Sequence, residues 1–430
     1  MTEQPGRPEL PGLTAPQAAA RLGIKVETLY AYVSRGRLER RRGPGGSTFD
    51  PLAVEAFARG RRTAPRAPTQ VTGHSPGTPL AIIDSDITLL EDDRLYLRGR
   101  DATELAATAS FEQVCWWLWT REWHSEVRFA ASPSAVEALT ALPPPSARLS
   151  LRHRMQLATT LLGAADPFRH DLSVPSVVRM GGELIAGSIR ALPLASGASP
   201  QPAEPAEPAE PAEPAESVGG VLGVAAQLWS RLTPRVADAS ELALLNAALV
   251  LLVDHDLAAS TLAVRAAASA RAHPYAVVSC GLGALDSALH GNVSRAATGM
   301  LDHRLAGEPA DRVVAAAVGA HGTVPGFGHR VYRLQDPRWA ALIELVRAAR
   351  PEAPALRAAT EVHRVVAERV RTFPNVDLAL AVLTSALGLR PDAAELIFAL
   401  ARTGGWITHA LAEYAEPPLR LRPEGRYVGP

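Results

Sequence analysis

A short stretch of this chain places a titratable side chain close to strong anion binders. Residues 324–338 read V-P-G-F-G-H-R-V-Y-R-L-Q-D-P-R. Gly326 and Gly328 permit backbone angles that other residues avoid, so they predict a kinked turn that presents His329. Arg338 follows nine residues later and is suited to binding an anion. The stretch therefore indicates acid–base chemistry on an anionic ligand.

Two helix starts are predicted to hold the charged groups around this stretch. Asp336 and Pro337 are typical of an N-cap and a first helical position. Asn375 is expected to cap a second helix, which puts Asp377 in its first turn. The positive end of a helix dipole favours a charged carboxylate there, so Asp377 is expected to be ionised.

The whole stretch at 324–338 resembles the signature of the citrate synthase family, G-F-G-H-R-V-Y-x-x-x-D-P-R. Six further blocks resemble that family in its order and extend the resemblance from about residue 78 to the C-terminus. These blocks are 94–123, 254–261 (D-H-D-L-A-A-S-T), 280–291, 374–377 (P-N-V-D), 397–409 and 422–429 (R-P-E-G-R-Y-V-G). The resemblance implies an all-α fold with a large and a small helical domain.

The resemblance also implies a reaction, the condensation of acetyl-CoA with oxaloacetate to citrate and free CoA. Asp377 matches the base that removes a proton from the acetyl methyl group. His290 matches the group that stabilises the enolate, and His329 the group that polarises the ketone. The CoA thioester is then a substrate, and no cofactor is expected.

Further positions match the family's binding residues. Those expected to bind oxaloacetate are His255, Arg338, Arg402 and Arg422. Arg330 and Arg333 are candidates for the CoA phosphates, with ordinary surface charge as the alternative. The resemblance implies a homodimer in which Arg422 reaches the partner's site. The histidines lack the spacing of metal ligands, so no metal site is expected.

Two blocks depart from the family pattern next to expected catalytic positions. The family's H-G-G-A-N is His-Gly-Asn-Val-Ser over residues 290–294. The Glu and Asn of H-E-L-N-A-S are here Asp256 and Ala258. These changes leave open whether acetyl-CoA is used or propionyl-CoA, which would give 2-methylcitrate.

The N-terminal segment has a different character. Thr14 and Gln17 form a plausible capping box before a helix, and a second helix is expected at about 26–34. A glycine-rich hairpin and a third helix near 50–59 should follow. The segment is locally basic and resembles the winged helix-turn-helix modules of the MerR and excisionase type. It predicts DNA binding through residues 14–62, with protein contacts as the alternative.

Composition and the positions of proline-rich segments give the expected domain boundaries. A winged helix-turn-helix covers 1–64, a linker 65–78, the large domain 79–291 and 389–430, a Pro-Ala-Glu repeat loop 201–217, and the small domain 292–388. The formal charge is balanced at 44 basic and 44 acidic residues, which excludes a global attraction to polyanions.

The expected cellular location follows from the bulk features of the sequence. The sequence has only two cysteines, no signal-peptide pattern and no apolar run long enough to span a bilayer, so a cytoplasmic protein without membrane contact is expected. The alternative to an enzyme is a DNA-binding regulator that senses metabolites through a slow or silent synthase body.

Overall fold

The computed structural model describes residues 12–34, 36–43, 46–51, 53–54, 57, 83–146, 149–195, 223–287, 293–370, 372–421 and 427. The chain forms two compact units. The first unit comprises Met1–Ile82 with Val293–Ala386, and the second unit comprises Ile83–Asn292 with Leu387–Pro430. The linker at 65–78, the repeat loop at 201–217, His290 and Arg422 lie outside the described residues.

The N-terminal part of the first unit includes two helices and a small sheet among its described residues. Its elements are β1 (Leu13–Thr14), α1 (Ala15–Leu22), α2 (Val26–Ser34), β2 (Arg41–Gly43) and β3 (Gly46–Phe49), with antiparallel strand order β1-β3-β2. The Gln17 side chain accepts from the Thr14 N–H at 2.9 Å, as in the predicted capping box. Leu29 and Phe49 are buried in a core between the helices and the sheet. The two helices and the hairpin expected from the sequence are therefore present.

The remainder of the first unit is helical. Its helices are α12 (Val293–Leu305), α13 (Ala310–His321), α14 (Pro337–Ala349), α15 (Pro354–Val370) and α16 (Val376–Ala386). The apolar run of α16 from Leu378 to Leu383 is fully buried, and α16 packs against α12, α14 and α15. Each chain segment that leads into α14 and α16 is thereby held against a rigid core.

Two contacts join the N-terminal part of the first unit to its helices. Arg369, near the end of α15, forms an ion pair with Asp50 at 3.2 Å, with both side chains partly exposed. The guanidinium of Arg21 lies against Gly322, where an added Cβ would be 3.6 Å from Nη2. Gly322 has φ 81° and ends α13 in the left-handed conformation. A cation at the C-terminal end of a helix is electrostatically favourable.

The second unit is built around one long, buried helix. The helices are α3 (Ala102–Thr108), α4 (Phe111–Thr120), α5 (Pro133–Leu139), α6 (Leu151–Ala165), α7 (Val174–Arg190), α8 (Val224–Leu232), α9 (Ala239–Leu252), α10 (Ala259–Ser269), α11 (Pro274–Leu285) and α17 (Ala393–Tyr414). The apolar α9 and the long α17 are largely buried. Helix α17 packs against α7, α9, α10 and α11.

A small antiparallel sheet at the start of the second unit was not predicted. It consists of β4 (Thr88–Glu91), β5 (Arg94–Leu97) and β6 (Arg100–Asp101), in that order. Asp92 and Asp93 join the first two strands with φ of 49° and 56°, a turn that aspartate tolerates and that matches the twist of a hairpin. This Asp-Asp pair between two apolar runs was the missed signal.

The described residues are mostly helical, which confirms the predicted fold class. Nowhere in the described ranges does a helix combine the length and the apolar character needed to cross a membrane.

Candidate active site

In the first unit, the glycine-rich turn is hydrogen-bonded to the segment that starts α16. Gly328 N–H donates to the Phe373 carbonyl at 2.7 Å, and Asn375 N–H donates to the Gly326 carbonyl at 2.9 Å. The Asn375 side chain adds a bond from Nδ2 to the Gly328 carbonyl at 2.8 Å. A Cβ on Gly326 would lie 2.8 Å from the Leu378 Cβ. Glycine is therefore required for this close approach.

His329 follows the turn and has one defined tautomer. Its Nδ1 accepts from the backbone N–H groups of Val331 and Tyr332, at 3.0 and 3.3 Å. Because Nδ1 is an acceptor, the ring proton lies on Nε2, which can donate. Burial and the nearby Arg338 charge lower the pKa of His329 to about 4, with Asp336 partly opposing them. The ring is a neutral hydrogen-bond donor near neutral pH.

A buried ion pair links the starts of α14 and α16. Arg338 donates through Nε and Nη2 to the two oxygens of Asp336, at 3.0 and 2.8 Å. Asp336 also accepts from the N–H groups of Arg338 and Val376, both at 3.0 Å. The N-cap role predicted for Asp336, with Pro337 in first position, is confirmed. Asp336 is also a buried counter-ion, which the sequence did not indicate.

The charges of this pair stabilise each other. Burial alone would raise the pKa of Asp336, but the guanidinium of Arg338 and hydrogen bonds keep that pKa below its ordinary value. Burial likewise disfavours the charged Arg338, yet the Asp336 carboxylate raises its pKa. The Arg338 atom Nη1 takes no part in the pair with Asp336. The pair therefore holds the guanidinium of Arg338 charged and in one orientation at the start of α14.

Asp377 lies in the first turn of α16, as predicted. The side chain of Asn375 caps the helix by accepting from the Asp377 N–H at 3.0 Å. Burial raises the pKa of Asp377, against the lowering effects of a hydrogen bond from Ser294 and the charge of Arg338. Removal from water is the largest cause, and it raises the pKa, whereas the helix dipole was expected to keep Asp377 ionised. A raised pKa makes the carboxylate a better base.

The hydrogen bond between Ser294 and Asp377 was not predicted. Ser294 Oγ donates to Asp377 Oδ1 across 83 residues of sequence. The sequence had marked Ser294 only as a departure from the family motif. No local pattern could have identified a contact between the first turns of α12 and α16.

Arg330 and Arg333 do not join this buried cluster. Both side chains are exposed on the loop between the turn and α14. Their assignment to CoA phosphates stays a prediction.

In the second unit, His255 and Arg402 are both buried, at 9% and 1% exposure. Arg402 Nε donates to the Leu252 carbonyl at 2.9 Å, and its guanidinium lies 5.0 Å from the centre of the Phe398 ring. The first contact places Arg402 at the C-terminal end of α9, three residues before His255.

The residue before His255 anchors a buried polar network that the sequence did not reveal. Asp254 is fully buried and accepts from Thr88 Oγ1 and, at 3.1 Å, from His409 Nε2. The Nδ1 atom of His409 accepts from Arg265 Nε at 3.0 Å. Arg265 in turn pairs with Glu413 at 3.0 Å. His409 and Glu413 stand four residues apart on the buried α17, which was the available signal.

Two of the seven proposed catalytic and oxaloacetate-binding residues, His290 and Arg422, lie outside the described residues. The structure brings His329, Arg338 and Asp377 into one cluster of the first unit, around Asp336. His255 and Arg402 both lie in the second unit, where Arg402 binds the C-terminal end of α9.

These features define a mostly helical enzyme with a cluster of Asp, His and Arg side chains, in which Asp336 and Arg338 are buried and His329 and Asp377 are partly buried. The family model described as "Citrate synthase, C-terminal domain" matches residues 78–424. The chain therefore belongs to the citrate synthase family of acyltransferases.

Individual proteins agree with this assignment. The chain is 27% identical over 363 residues to "Citrate synthase 2" of Bacillus subtilis (strain 168), covering 80% of this chain and 93% of that protein. It is 34% identical over 189 residues to "Citrate synthase" of Haloferax volcanii, covering 42% of this chain and 49% of that one.

Solved structures show the same fold. The citrate synthase of Thermotoga maritima has a TM-score of 0.63 at 24% identity, covering 81% of this chain and 94% of that one. The citrate synthase of Thermoplasma acidophilum, solved as a ternary complex with carboxymethyl coenzyme A and oxaloacetate, has a TM-score of 0.62 at 24% identity with the same coverage.

Proposed function

We propose that this protein condenses acetyl-CoA with oxaloacetate to form citrate and free CoA. The observation that carries the proposal is the cluster in the first unit, in which Asp377 has a raised pKa, His329 is a neutral donor and Arg338 is a fixed cation. The Thermoplasma acidophilum relative, whose structure holds oxaloacetate and a CoA analogue, supports the choice of substrates.

The first step is loss of a proton from the acetyl methyl group to Asp377. A carboxylate of ordinary pKa, about 3.9, is a weak base toward carbon. A raised pKa and exclusion of water both lower the barrier to this transfer. We assign His290 to hydrogen-bond the oxygen of the enolate that forms. No cofactor takes part, because the thioester itself acidifies the methyl group.

The second step joins the two substrates. The enolate carbon attacks the ketone carbon of oxaloacetate, while Nε2–H of His329 donates a hydrogen bond to the ketone oxygen and stabilises its developing negative charge. The proton that Asp377 removed from the methyl group balances the proton of the new hydroxyl group. His255, Arg338 and Arg402 bind the dicarboxylate, and Arg422 does so from the partner subunit of a homodimer. Water then cleaves the thioester of citryl-CoA and gives citrate and the CoA thiol.

Release of the CoA thiol tests the proposal directly. We expect thiol release from acetyl-CoA that depends on oxaloacetate, and its loss by at least about 10³-fold in D377N. A protein that releases thiol from neither acetyl-CoA nor propionyl-CoA would refute the proposal. Asp302→Asn neutralises an exposed carboxylate on α12 that has a raised pKa but lies outside the cluster, so this variant is the control and should keep its activity.

The same thiol-release assay, run with acetyl-CoA and with propionyl-CoA, shows which acyl group the protein prefers. The altered motif at residues 290–294 and the replacements Asp256 and Ala258 are the reasons to compare them. A higher kcat/KM for propionyl-CoA would make 2-methylcitrate the product and leave the roles of Asp377 and His329 unchanged.

For the N-terminal part we propose a DNA-binding module of the winged helix-turn-helix type. The supporting features are a helix pair joined at Gly23, which has φ 61°, and exposed Thr28, Tyr30 and Arg41 on α2 and the hairpin. Binding to duplex DNA should weaken steeply with salt, since phosphate contacts release counterions.

A gel-shift experiment separates the possible roles of this module. DNA binding that responds to oxaloacetate or CoA in a protein without turnover would select the regulator. If the protein does not shift DNA even at low salt, the module does not bind DNA, and protein contacts become its expected role.

A further inference from the structure

The carboxylate of Asp377 is held by one neighbouring hydroxyl group. Ser294 Oγ donates to Asp377 Oδ1, and within the described residues no other side chain is found to donate to this carboxylate. Ser294 is 2% exposed and lies in the first turn of α12. Its carbonyl accepts from Thr298 Oγ1 at 3.0 Å, a bond within the same helix.

A carboxylate that removes a proton from carbon must hold one of its oxygens pointed at that carbon. The backbone of Asp377 is fixed by the Asn375 cap, but rotation about the side-chain bonds would still move both oxygens. A hydrogen bond to Oδ1 restricts this rotation and leaves Oδ2 to take the proton. A misplacement of about 1 Å at a reacting group can cost about 10²-fold in rate.

The hydroxyl also affects the basicity of Asp377. A donor to the charged form favours ionisation, and Ser294 opposes the effect of burial in this way. The hydroxyl therefore opposes the loss of ionisation that burial causes. Orientation and ionisation therefore both depend on the same hydroxyl group.

We propose that Ser294 is a positioning residue for catalysis, whose hydroxyl aims Oδ2 of Asp377 at the carbon that loses its proton. This inference rests on the proposed function, in which Asp377 is the base. It assigns a role to a residue at which the sequence departs from the family motif.

Replacement of the hydroxyl in the full-length protein is the first test. We expect S294A to lower kcat by about 10- to 100-fold with KM for acetyl-CoA changed by less than about 3-fold. The acid limb of the kcat profile should move to higher pH, because a lost donor raises the pKa of the base. S294T keeps a hydroxyl and should recover most of kcat.

Thr298→Ala is the matched control, since it removes a buried hydroxyl from the same helix without touching Asp377. It should leave kcat and the pH profile unchanged. If S294A keeps both kcat and the pH profile of an active wild type, the positioning role is wrong while the proposed function stands. Equal loss in S294A and S294T would assign the effect to packing and also refute the role.

An infrared titration tests the contact without needing turnover. The carboxyl band of Asp377, assigned by its loss in D377N, should titrate at higher pH in S294A than in wild type. An unchanged titration would refute the inference even for a protein that releases no thiol. Absence of thiol release in the wild type would refute the proposed function separately.

Discussion

His329 is a donor because two backbone groups occupy its other nitrogen. The N–H groups of Val331 and Tyr332 both point at Nδ1, so the proton is confined to Nε2. The lowered pKa of about 4 keeps the ring neutral where an imidazolium could not coexist easily with Arg338. A neutral donor can stabilise developing negative charge on a ketone oxygen by a hydrogen bond.

Substitution of His329 tests this role. His329→Ala should lower kcat by about 10²- to 10³-fold, the cost of removing one donor to a developing oxyanion. The measurement is thiol release at saturating substrates. His321→Ala, an exposed histidine at the end of α13, is the control and should match wild type. Equal activity of the two variants would exclude His329 as the donor.

The same histidine makes stability depend on pH. Its pKa is about 6.5 when unfolded and about 4 when folded, so between these values the unfolded state binds more protons. Its contribution therefore favours folding at neutral pH and is lost as pH falls from 6.5 toward 4. His329→Gln should show a smaller drop in the free energy of unfolding over this interval, measured by urea denaturation. An identical pH dependence in the variant would contradict the assignment.

At the scale of elements, helix α17 approaches the end of α9 more closely than side chains allow. Gly405 N–H donates to the Val253 carbonyl at 3.1 Å, and a Cβ on Gly405 would lie 2.2 Å from that oxygen and 2.6 Å from Asp254 Oδ1. The adjacent Gly404 and Gly405 permit this close approach because neither carries a side chain. His255 and Arg402 are held at this junction.

Gly405→Ala should separate the two helices. Overpacking of this kind typically costs about 1–3 kcal/mol, and here it would also displace Asp254 and its neighbour His255. We expect a lower unfolding midpoint and a raised KM for oxaloacetate.

The control for this change is Gly283→Ala. Gly283 is an exposed glycine within α11 where an added Cβ meets nothing within 4 Å. Alanine there should stabilise the protein by about 0.5–1 kcal/mol. Gly405→Ala with wild-type stability and KM would show that the junction tolerates expansion.

At the scale of the whole molecule, the N-terminal part shares a compact unit with α12–α16. Its ion pair from Asp50 to Arg369 is partly exposed and is worth about 0–1 kcal/mol. The family match begins only at residue 78. The N-terminal part is thus attached to the enzyme body but lies outside the part that the family shares.

A variant that begins at residue 78 should therefore keep its turnover. We expect kcat within about 3-fold of the full-length value and an unfolding midpoint lowered by less than about 4 °C, since a change near 1 kcal/mol has that effect in a chain of this size. Arg369→Gln in the full-length protein should reproduce the small shift. Loss of turnover in the shortened variant, with its fold intact, would show instead that the N-terminal part controls the site.

The sequence alone determined the chemical types at the site and the local structures that carry them. The caps at Thr14, Asp336 and Asn375, the buried character of α9 and the glycines at 404–405 follow from short-range rules, because each depends on neighbours within one helical turn or on apolar content. The family resemblance likewise identified residues 78 to the C-terminus. The hairpin at β4 and β5 was missed although its Asp-Asp turn is a local signal.

Tertiary structure alone decided how these groups act. The tautomer of His329 depends on the path of its own loop, and the Ser294–Asp377 bond joins residues 83 positions apart. The pKa of Asp377 rises chiefly because burial removes water from the carboxylate, an effect that the sequence did not indicate. The Asp254–His409 contact spans 155 residues. Long-range packing sets the Ser294–Asp377 and Asp254–His409 contacts, and desolvation sets the pKa of Asp377. Neither leaves a local pattern in the chain.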